Sequence, residues 1–284
     1  MKICVIGGAN VDITAASYSK FVPGDSNPGT IRLSFGGVAR NIAHNLVLLG
    51  DEVRLLTVFG SGDFGRMTRE DCERIGMELS LSMTALSDAH SCFVSINNPD
   101  GEMLGGVADM SATEGLTPSV LSERMPALNA SDAVVADCNL SIESLVYLIG
   151  HCTAPLYIDA VSGAKAVRLR DALLLSGGRQ IHALKCNHLE EELLGEVAGV
   201  RRRYVTRGSQ GVRVLEGGCT ADFPALPAAV VNTTGGGDAL LAGIVHCGPE
   251  APVAEAVRVG LLCARAAVEC PDAVNENVAN LIKE

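Results

Sequence analysis

Strand-like apolar runs alternate with helix-like stretches along most of this chain, and that alternation limits its fold more than any other feature. The strand-like runs fall at residues 53–59, 133–136, 156–160, 181–185, 204–206 and 211–215, after an opening run at 1–8 that reads as a buried strand. Helix-like stretches lie between several of them, at 39–49, 141–150 and 188–198 among others. Strands separated by helices in this way build an α/β domain around a largely parallel sheet. Toward the end, Val253, Ala256, Val257, Gly260, Leu261, Ala264 and Val268 recur at helical spacing. These residues are small enough to pack closely against the sheet.

Two segments break the alternation. Residues 13–33 are polar and rich in Ser, Pro and Gly before returning to the apolar Ile31-Arg32-Leu33, and residues 91–108 read as a hairpin turning at Pro99-Asp100-Gly101. Proline presets φ in such a turn and glycine accepts a positive φ. Together the two segments suggest a small sheet standing off the main domain, a mobile flap over a site. With no internal repeat and no low-complexity linker, residues 1–284 read as a single domain with lid elements at about 13–33 and 91–108.

Composition narrows the partners. At 284 residues and 48% hydrophobic, the chain can bury roughly three quarters of its unfolded surface. The net charge is −11 and no Lys/Arg run exceeds Arg201-Arg202-Arg203, which argues against a nucleic-acid partner. No uninterrupted apolar run reaches the ~18 residues that suggest a membrane span. The first residues lack a signal-peptide pattern, so the expected compartment is the cytosol. Ten cysteines are scattered without a Cys-x-x-Cys pair and read as reduced, mostly buried small hydrophobes. The histidines follow no metal spacing.

The densest chemistry lies in Asn232-Thr233-Thr234-Gly235-Gly236-Gly237-Asp238, which opens the helix-permissive run 239–245. A glycine turn at a helix start aims unpaired N–H groups and the positive end of the helix dipole at one point, which suits an anion. A carboxylate there has two readings. Asp238 accepts a proton from an attacking hydroxyl during phosphoryl transfer, or it merely caps the helix.

Four further constellations carry paired readings. Gly7-Gly8-Ala9-Asn10-Val11-Asp12 ends the first strand without the dinucleotide fingerprint. There Asn10 and Asp12 suit adjacent sugar hydroxyls, or form an Asx turn. In Ser34-Phe35-Gly36-Gly37-Val38-Ala39-Arg40-Asn41, the paired glycines let backbone approach a ligand and Asn41 can donate to and accept from a hydroxyl. The alternative leaves Asn41 exposed at a helix start, and Arg40 is expected on the surface. Asn187 and Glu190 fit a helix cap with its reciprocal capping box, or a place near hydrated Mg²⁺ and phosphates. Thr206-Arg207-Gly208-Ser209-Gln210-Gly211 joins two strands as a tight turn or as a loop over nucleotide phosphates; no P-loop occurs.

Taken in order, Asn10/Asp12, Gly36-Gly37…Asn41, Asn187-x-x-Glu190, Thr206-x-Gly208-x-x-Gly211 and Gly235-Gly236-Gly237-Asp238 resemble the ribokinase-like (PfkB) carbohydrate kinase family over nearly the whole chain. Within it, residues 34–43 are most similar to the pseudouridine kinases, and Val274-Asn275-Glu276-Asn277 points the same way. The resemblance implies a ribokinase-like three-layer α/β/α sandwich with a small β-sheet lid. It implies ATP-dependent phosphorylation of a sugar hydroxyl, foremost the 5′-hydroxyl of pseudouridine. By it, Asp238 is the general base and Gly235, Gly236 and Gly237 form the anion hole. Asp12 and Asn41 hold ribose hydroxyls, with Asn10, Gly36 and Gly37 lining that pocket. Asn187 and Glu190 organise Mg²⁺ through water, and Thr206, Gly208 and Gly211 line the ATP site.

The chain also departs from the family pattern, which commonly reads Asp-Thr-x-Gly-Ala-Gly-Asp. Here Asn232 replaces the first acid and Gly236 the alanine, so a monovalent-cation site lacks the acid that would support it. The segment between Glu190 and Thr206 is short, which alters the outer wall of the nucleotide site. Choice of base falls to lid residues, Asp109 and Met110 among them. Other readings are a kinase for a free sugar (ribose, fructose) or another nucleoside, and a catalytically silent nucleoside or sugar sensor. A nicotinamide-dependent oxidoreductase is disfavoured by the missing fingerprint. The open edges of a lid would be covered by pairing two lids, which makes a homodimer compatible with the sequence.

Overall fold

The computed structural model describes residues 1–282. Along the chain run β1 (Lys2–Ile6), β2 (Asn10–Ser17), β3 (Gly29–Gly36), α1 (Val38–Leu48), β4 (Glu52–Leu56), β5 (Val58–Phe59), α2 (Asp63–Ile75), β6 (Met83–Thr84), β7 (Cys92–Asn97), β8 (Met103–Asp109) and α3 (Pro118–Asn129). There follow β9 (Ala133–Asp137), α4 (Ile142–His151), β10 (Leu156–Asp159), α5 (Gly163–Leu175), β11 (Ile181–Asn187), α6 (His188–Leu194), β12 (Val200–Thr206), β13 (Val212–Glu216), β14 (Cys219–Phe223), α7 (Gly236–His246), α8 (Val253–Val268) and α9 (Val278–Leu281). The main sheet has the order β14-β13-β12-β11-β10-β9-β1-β4. Its strands from β12 to β4 are parallel, and β13 and β14 add an antiparallel edge.

The period-2 pattern of the central strands divides the core into two layers. On β1, Cys4 and Ile6 face a cluster with Leu121 of α3, Leu145 of α4 and Leu169 of α5. Ile3 and Val5 face the other layer, with Ile42 of α1, Leu241 of α7 and Val257 of α8. The result is the expected α/β/α sandwich. The small residues of α8 pack most closely on α7 rather than on the sheet. A Cβ on Gly243 would stand 2.8 Å from Gly260 Cα, so the two helices touch backbone to backbone. Among the described residues, no helix is long and apolar enough to cross a membrane.

Several boundaries differ from the sequence expectation, each for a local reason. The run 53–59 is split at Thr57: β4 belongs to the main sheet, whereas Val58 and Phe59 pair with Met83 and Thr84. The helix expected to reach residue 198 stops at Leu194, because Gly195 takes a left-handed φ of 62°. A second sheet, ordered β3-β2-β7-β8, contains both segments expected to leave the main domain. The β7–β8 hairpin turns where expected, with Gly101 at φ +88°. However, β2 begins at Asn10 and β3 runs to Gly36, so Asn10 and Asp12 lie within a strand and no Asx turn ends it.

Candidate active site

The N-terminus of α7 is the centre of the site. Gly235 caps it at φ +81°, and a Cβ there would stand 2.0 Å from the Ala273 carbonyl oxygen; both constraints require glycine. The first bond along the helix runs from Ala239 N–H to Gly235 O at 2.9 Å. The N–H groups of Gly236, Gly237 and Asp238 therefore have no acceptor within the helix, and they concentrate positive potential at its mouth.

Asp238 is buried in that first turn. Its Oδ2 accepts from Asn41 Nδ2 at 3.0 Å. Burial, aided by the charge of Asp159, pushes the Asp238 carboxyl up to about 7, against the pull of Lys185 and the Asn41 hydrogen bond. A carboxylate poised near neutrality can accept a proton from a hydroxyl placed before it. A mere cap would instead accept from its own helix, whereas the Asp238 side chain accepts from Asn41 of another helix.

On one side of Asp238 lies a polar pocket built from β2, β3 and α1. Asn10 Nδ2 donates to Asp12 Oδ1 at 2.5 Å, so both side chains share one face of β2. Burial pushes the Asp12 carboxyl up to about 6, partly offset by that hydrogen bond and by Arg40. Gly36 and Gly37 are glycine because the pocket is tight. A Cβ on Gly36 would stand 2.1 Å from Asp12 Oδ2, and one on Gly37 would stand 2.4 Å from Gly8 O and 2.8 Å from Asn10 Oδ1. Gly37 also sits at φ +102°.

Asn41 is buried, not exposed at the helix start. Arg40 overturns the surface expectation as well. Its Nη2 pairs with Asp71 Oδ2 of α2 at 2.6 Å, with both side chains 7% exposed. Its Nη1 lies 3.4 Å from Asn41 Oδ1 and donates to it. The guanidinium thus fixes the oxygen end of the Asn41 amide and turns the amide nitrogen toward Asp238. Asp137, fully buried at the end of β9, accepts from the backbone N–H groups of Gly8 at 2.9 Å, Ala39 at 3.0 Å and Asn139 at 2.8 Å. It ties β1, α1 and β9 together beneath the pocket.

On the other side of α7 a cavity of about 650 Å³ opens, lined by Thr206, Gly208, Gly211, Gly236 and Gly237 and walled by apolar groups such as Leu226 and Leu261. Gly211 is glycine of necessity: φ is +94° and a Cβ would stand 2.0 Å from Phe223 O. Asn187 caps α6 with the full capping box. Asn187 N–H donates to Glu190 Oε2 at 2.8 Å, Asn187 Nδ2 to Glu190 Oε1 at 2.8 Å, and Glu190 N–H to Asn187 Oδ1 at 2.9 Å. Burial raises the Glu190 carboxyl, while the Asn187 N–H and Lys185 pull it back. The residues singled out in the sequence therefore meet at the carboxyl edge of the main sheet, where parallel α/β folds place their ligands.

Two residues of this edge escaped the sequence reading. Asp159 ends β10, and its Oδ2 lies 3.0 Å from Lys185 Nζ. The signal was present in outline: a carboxylate closing an apolar strand of a parallel sheet points at the ligand edge. Nothing local distinguished Asp159 from a strand-ending acid exposed to water.

The pfkB family carbohydrate kinase profile matches residues 1–137 and 164–280. Pseudouridine kinase of Escherichia coli strain K12 is 32% identical to this chain over 99% of it and 96% of the relative. Guanosine-inosine kinase of Exiguobacterium acetylicum is 27% identical over 69% of this chain and 64% of the relative. Among solved structures, a carbohydrate kinase from Agrobacterium tumefaciens superposes with a TM-score of 0.87 and 31% identity, covering 99% of this chain and 95% of that one.

Proposed function

The chain belongs to the pfkB family of carbohydrate kinases, and on that footing we propose that it transfers the γ-phosphoryl group of ATP to the 5′-hydroxyl of pseudouridine. It is a phosphotransferase with an alcohol acceptor, of the sugar and nucleoside kinase kind. The observation that carries the finer reading is the position of Asp238 between two pockets. One holds Asn41, Asp12 and Asn10 and suits sugar hydroxyls; the other shares Gly236 and Gly237 with α7 and suits a nucleotide.

In this reading Asp12 and Asn41 orient the ribose, and Asp238 takes the proton of the attacking hydroxyl as the new bond forms. The N–H groups of Gly236 and Gly237 hold the charge that spreads over the moving phosphoryl oxygens. An alcohol is far too weak an acid to ionise beforehand, so the base accepts its proton late in the step. Residues of the second sheet, with Asp109 and Met110 at the end of β8, act as a lid and select the base. Arg32 of β3 pairs with Asp272 of the main body, which supports a sheet that reaches across the cleft.

The residues present suit the nucleotide and its metal. The apolar walls suit an adenine, and the glycines of 208–211 let backbone come close. No group of three His, Cys, Asp or Glu side chains among the described residues could hold an ion directly. Glu190 spends one lone pair of each carboxylate oxygen on Asn187, leaving the others to hold the water shell of Mg²⁺, an ion that keeps several waters. When bound, Mg²⁺ supplies neutralisation of the β- and γ-phosphate charge.

A monovalent ion has no acid at position 232. There the Asn232 amide donates to Pro271 O at 3.0 Å and accepts from Thr234 N–H at 3.0 Å. The neutral amide thus links two loops that an acid would need a cation to join. The outer face of the second sheet carries exposed Ile31, Val94, Ile96 and Val107, which supports a homodimer through the lid; the mass in solution tests it. A relative acting on guanosine and inosine favours another nucleoside as the second reading. Turnover across pseudouridine, uridine, inosine and ribose separates these substrates.

A further inference from the structure

Lys185 lies on β11 two residues before Asn187, and its ammonium reaches beneath the mouth of α7. Nζ is 3.0 Å from Asp159 Oδ2 and 3.4 Å from Asp159 Oδ1. A Cβ on Gly237 would stand 2.7 Å from Nζ and 3.1 Å from Cε. Glycine at 237 therefore does more than start a helix: it leaves room for a cation against the peptide whose N–H points into the site.

The partner of that cation is itself held by a costly piece of backbone. Asp159 Oδ1 accepts from Val161 N–H at 2.8 Å. Val161 has φ +67°, and among the described residues no other residue except glycine has a positive φ. A β-branched residue in this region is a strained one, and such strain collects at functional sites. Here it aims one buried carboxylate at one buried ammonium. Burial disfavours the Lys185 charge, but Asp159, Asp238 and Glu190 outweigh it and raise the pKa, so the side chain stays protonated.

A buried ion pair is a weak stabilising device, since an apolar pair of similar volume often serves stability as well. The location of this pair therefore needs a functional reason. The ammonium lies against Gly237 in the first turn of α7, within reach of the charge of Asp238, so a phosphoryl group held at the mouth of that helix would bring its charge close to it.

Resting on the kinase reading above, we infer that Lys185 is a catalytic residue whose ammonium contacts the equatorial oxygens of the phosphoryl group during transfer. In that step the acceptor O–H bond breaks and its proton passes to an Asp238 carboxylate oxygen. A bond forms between the acceptor oxygen and Pγ. The bond from Pγ to the bridging oxygen breaks, and its electron pair leaves on ADP. Lys185 moves no proton; Asp159 keeps it in place.

The test measures ADP formation by the full chain with pseudouridine, ATP and Mg²⁺ for wild type, Lys185→Met, Lys185→Met/Asp159→Asn and Gly237→Ala. The expected result is a kcat lower by ~10²–10³, the usual effect of removing one donor to developing charge, with the nucleoside KM little changed. The double variant removes both charges and keeps their volumes, so it avoids an unpaired buried Asp159; it should melt like wild type and remain slow. Gly237→Ala leaves both charges and pushes the ammonium aside, so it should also be slow. A second readout needs no turnover: ADP with aluminium fluoride and pseudouridine should bind the double variant ~10²-fold more weakly, in line with transition-state analogues, while ADP alone binds as before. A double variant that regains wild-type kcat would show that Lys185 merely neutralises Asp159, and the inference falls while the kinase reading stands. A wild-type chain that phosphorylates no nucleoside or sugar removes both.

Discussion

Asn41 Nδ2 donates to Asp238 Oδ2 at 3.0 Å, a bond between residues 197 positions apart that joins the polar pocket of β2, β3 and α1 to the mouth of α7. Because Arg40 holds the oxygen of the same amide, Asn41 can present only its nitrogen to the carboxylate. The charged form of Asp238 is thereby oriented before any ligand arrives.

The pH profile should show two carboxylates. Both are held above their ordinary values by burial, Asp238 at about 7 and Asp12 at about 6. The proposed mechanism needs both ionised, so kcat/KM should fall as pH drops through about 7, and more steeply below about 6. Stability moves the other way. A carboxyl with a raised folded pKa binds more protons folded than unfolded, so its contribution is present in acid and is lost as pH rises through the folded value. Replacing Asp238 by Asn should flatten the fall of Tm between the ordinary carboxyl range and about pH 7, and an unchanged profile would show that the carboxylate is not desolvated.

Gly36→Ala should damage binding rather than chemistry. The new methyl would stand 2.1 Å from Asp12 Oδ2 and must turn that carboxylate away from its position beside Asn10. We expect a nucleoside KM raised by about tenfold, equivalent to ~1.4 kcal/mol, with kcat less affected. Steady-state kinetics at saturating ATP decides this, and an unchanged KM contradicts the role given to Asp12.

Arg40→Leu should be costly to the fold. The substitution leaves Asp71 buried with Arg74 as its remaining partner, at 2.6 Å. Breaking a buried pair costs ~3–5 kcal/mol, and Arg74 should keep the loss near the lower end. Urea unfolding measures it. A loss below ~1 kcal/mol, the range of exposed pairs, would show that the pair is effectively solvated.

Activity should be indifferent to exchange of K⁺ for Na⁺ or for an organic cation, since the Asn232 amide bonds directly to Pro271 O. Asn232→Asp should introduce a dependence on the ion. Strong activation of the unaltered chain by K⁺ would contradict this account of the loop.

The parts of the site visible in the sequence are those set by local chemistry. The Gly235–Asp238 helix start and the Asn187/Glu190 capping box each depend on residues within four positions of one another, and both stand as the sequence suggests. The burial of Arg40 was not legible, because its partner Asp71 is 31 positions away on another helix. Lys185 and Asp159 are 26 positions apart on adjacent parallel strands, and pairing across a parallel sheet leaves no short-range mark. The break at Thr57 was hidden because β4 and β5 form one apolar run whose halves join different sheets. Strand alternation revealed the layers of the fold; the side-chain network required the strand order.

The central claim is that Asp238 serves phosphoryl transfer to a nucleoside. Its most direct test is ADP release from ATP and Mg²⁺ with pseudouridine, uridine, inosine, ribose and fructose as acceptors, run for the wild-type chain and for Asp238→Asn. The account predicts turnover with pseudouridine above all other acceptors and a rate ~10²–10⁴-fold lower in the variant, the usual worth of a positioned base, with ligand binding retained. Equal rates for the two proteins, or no acceptor turned over at all, would contradict it.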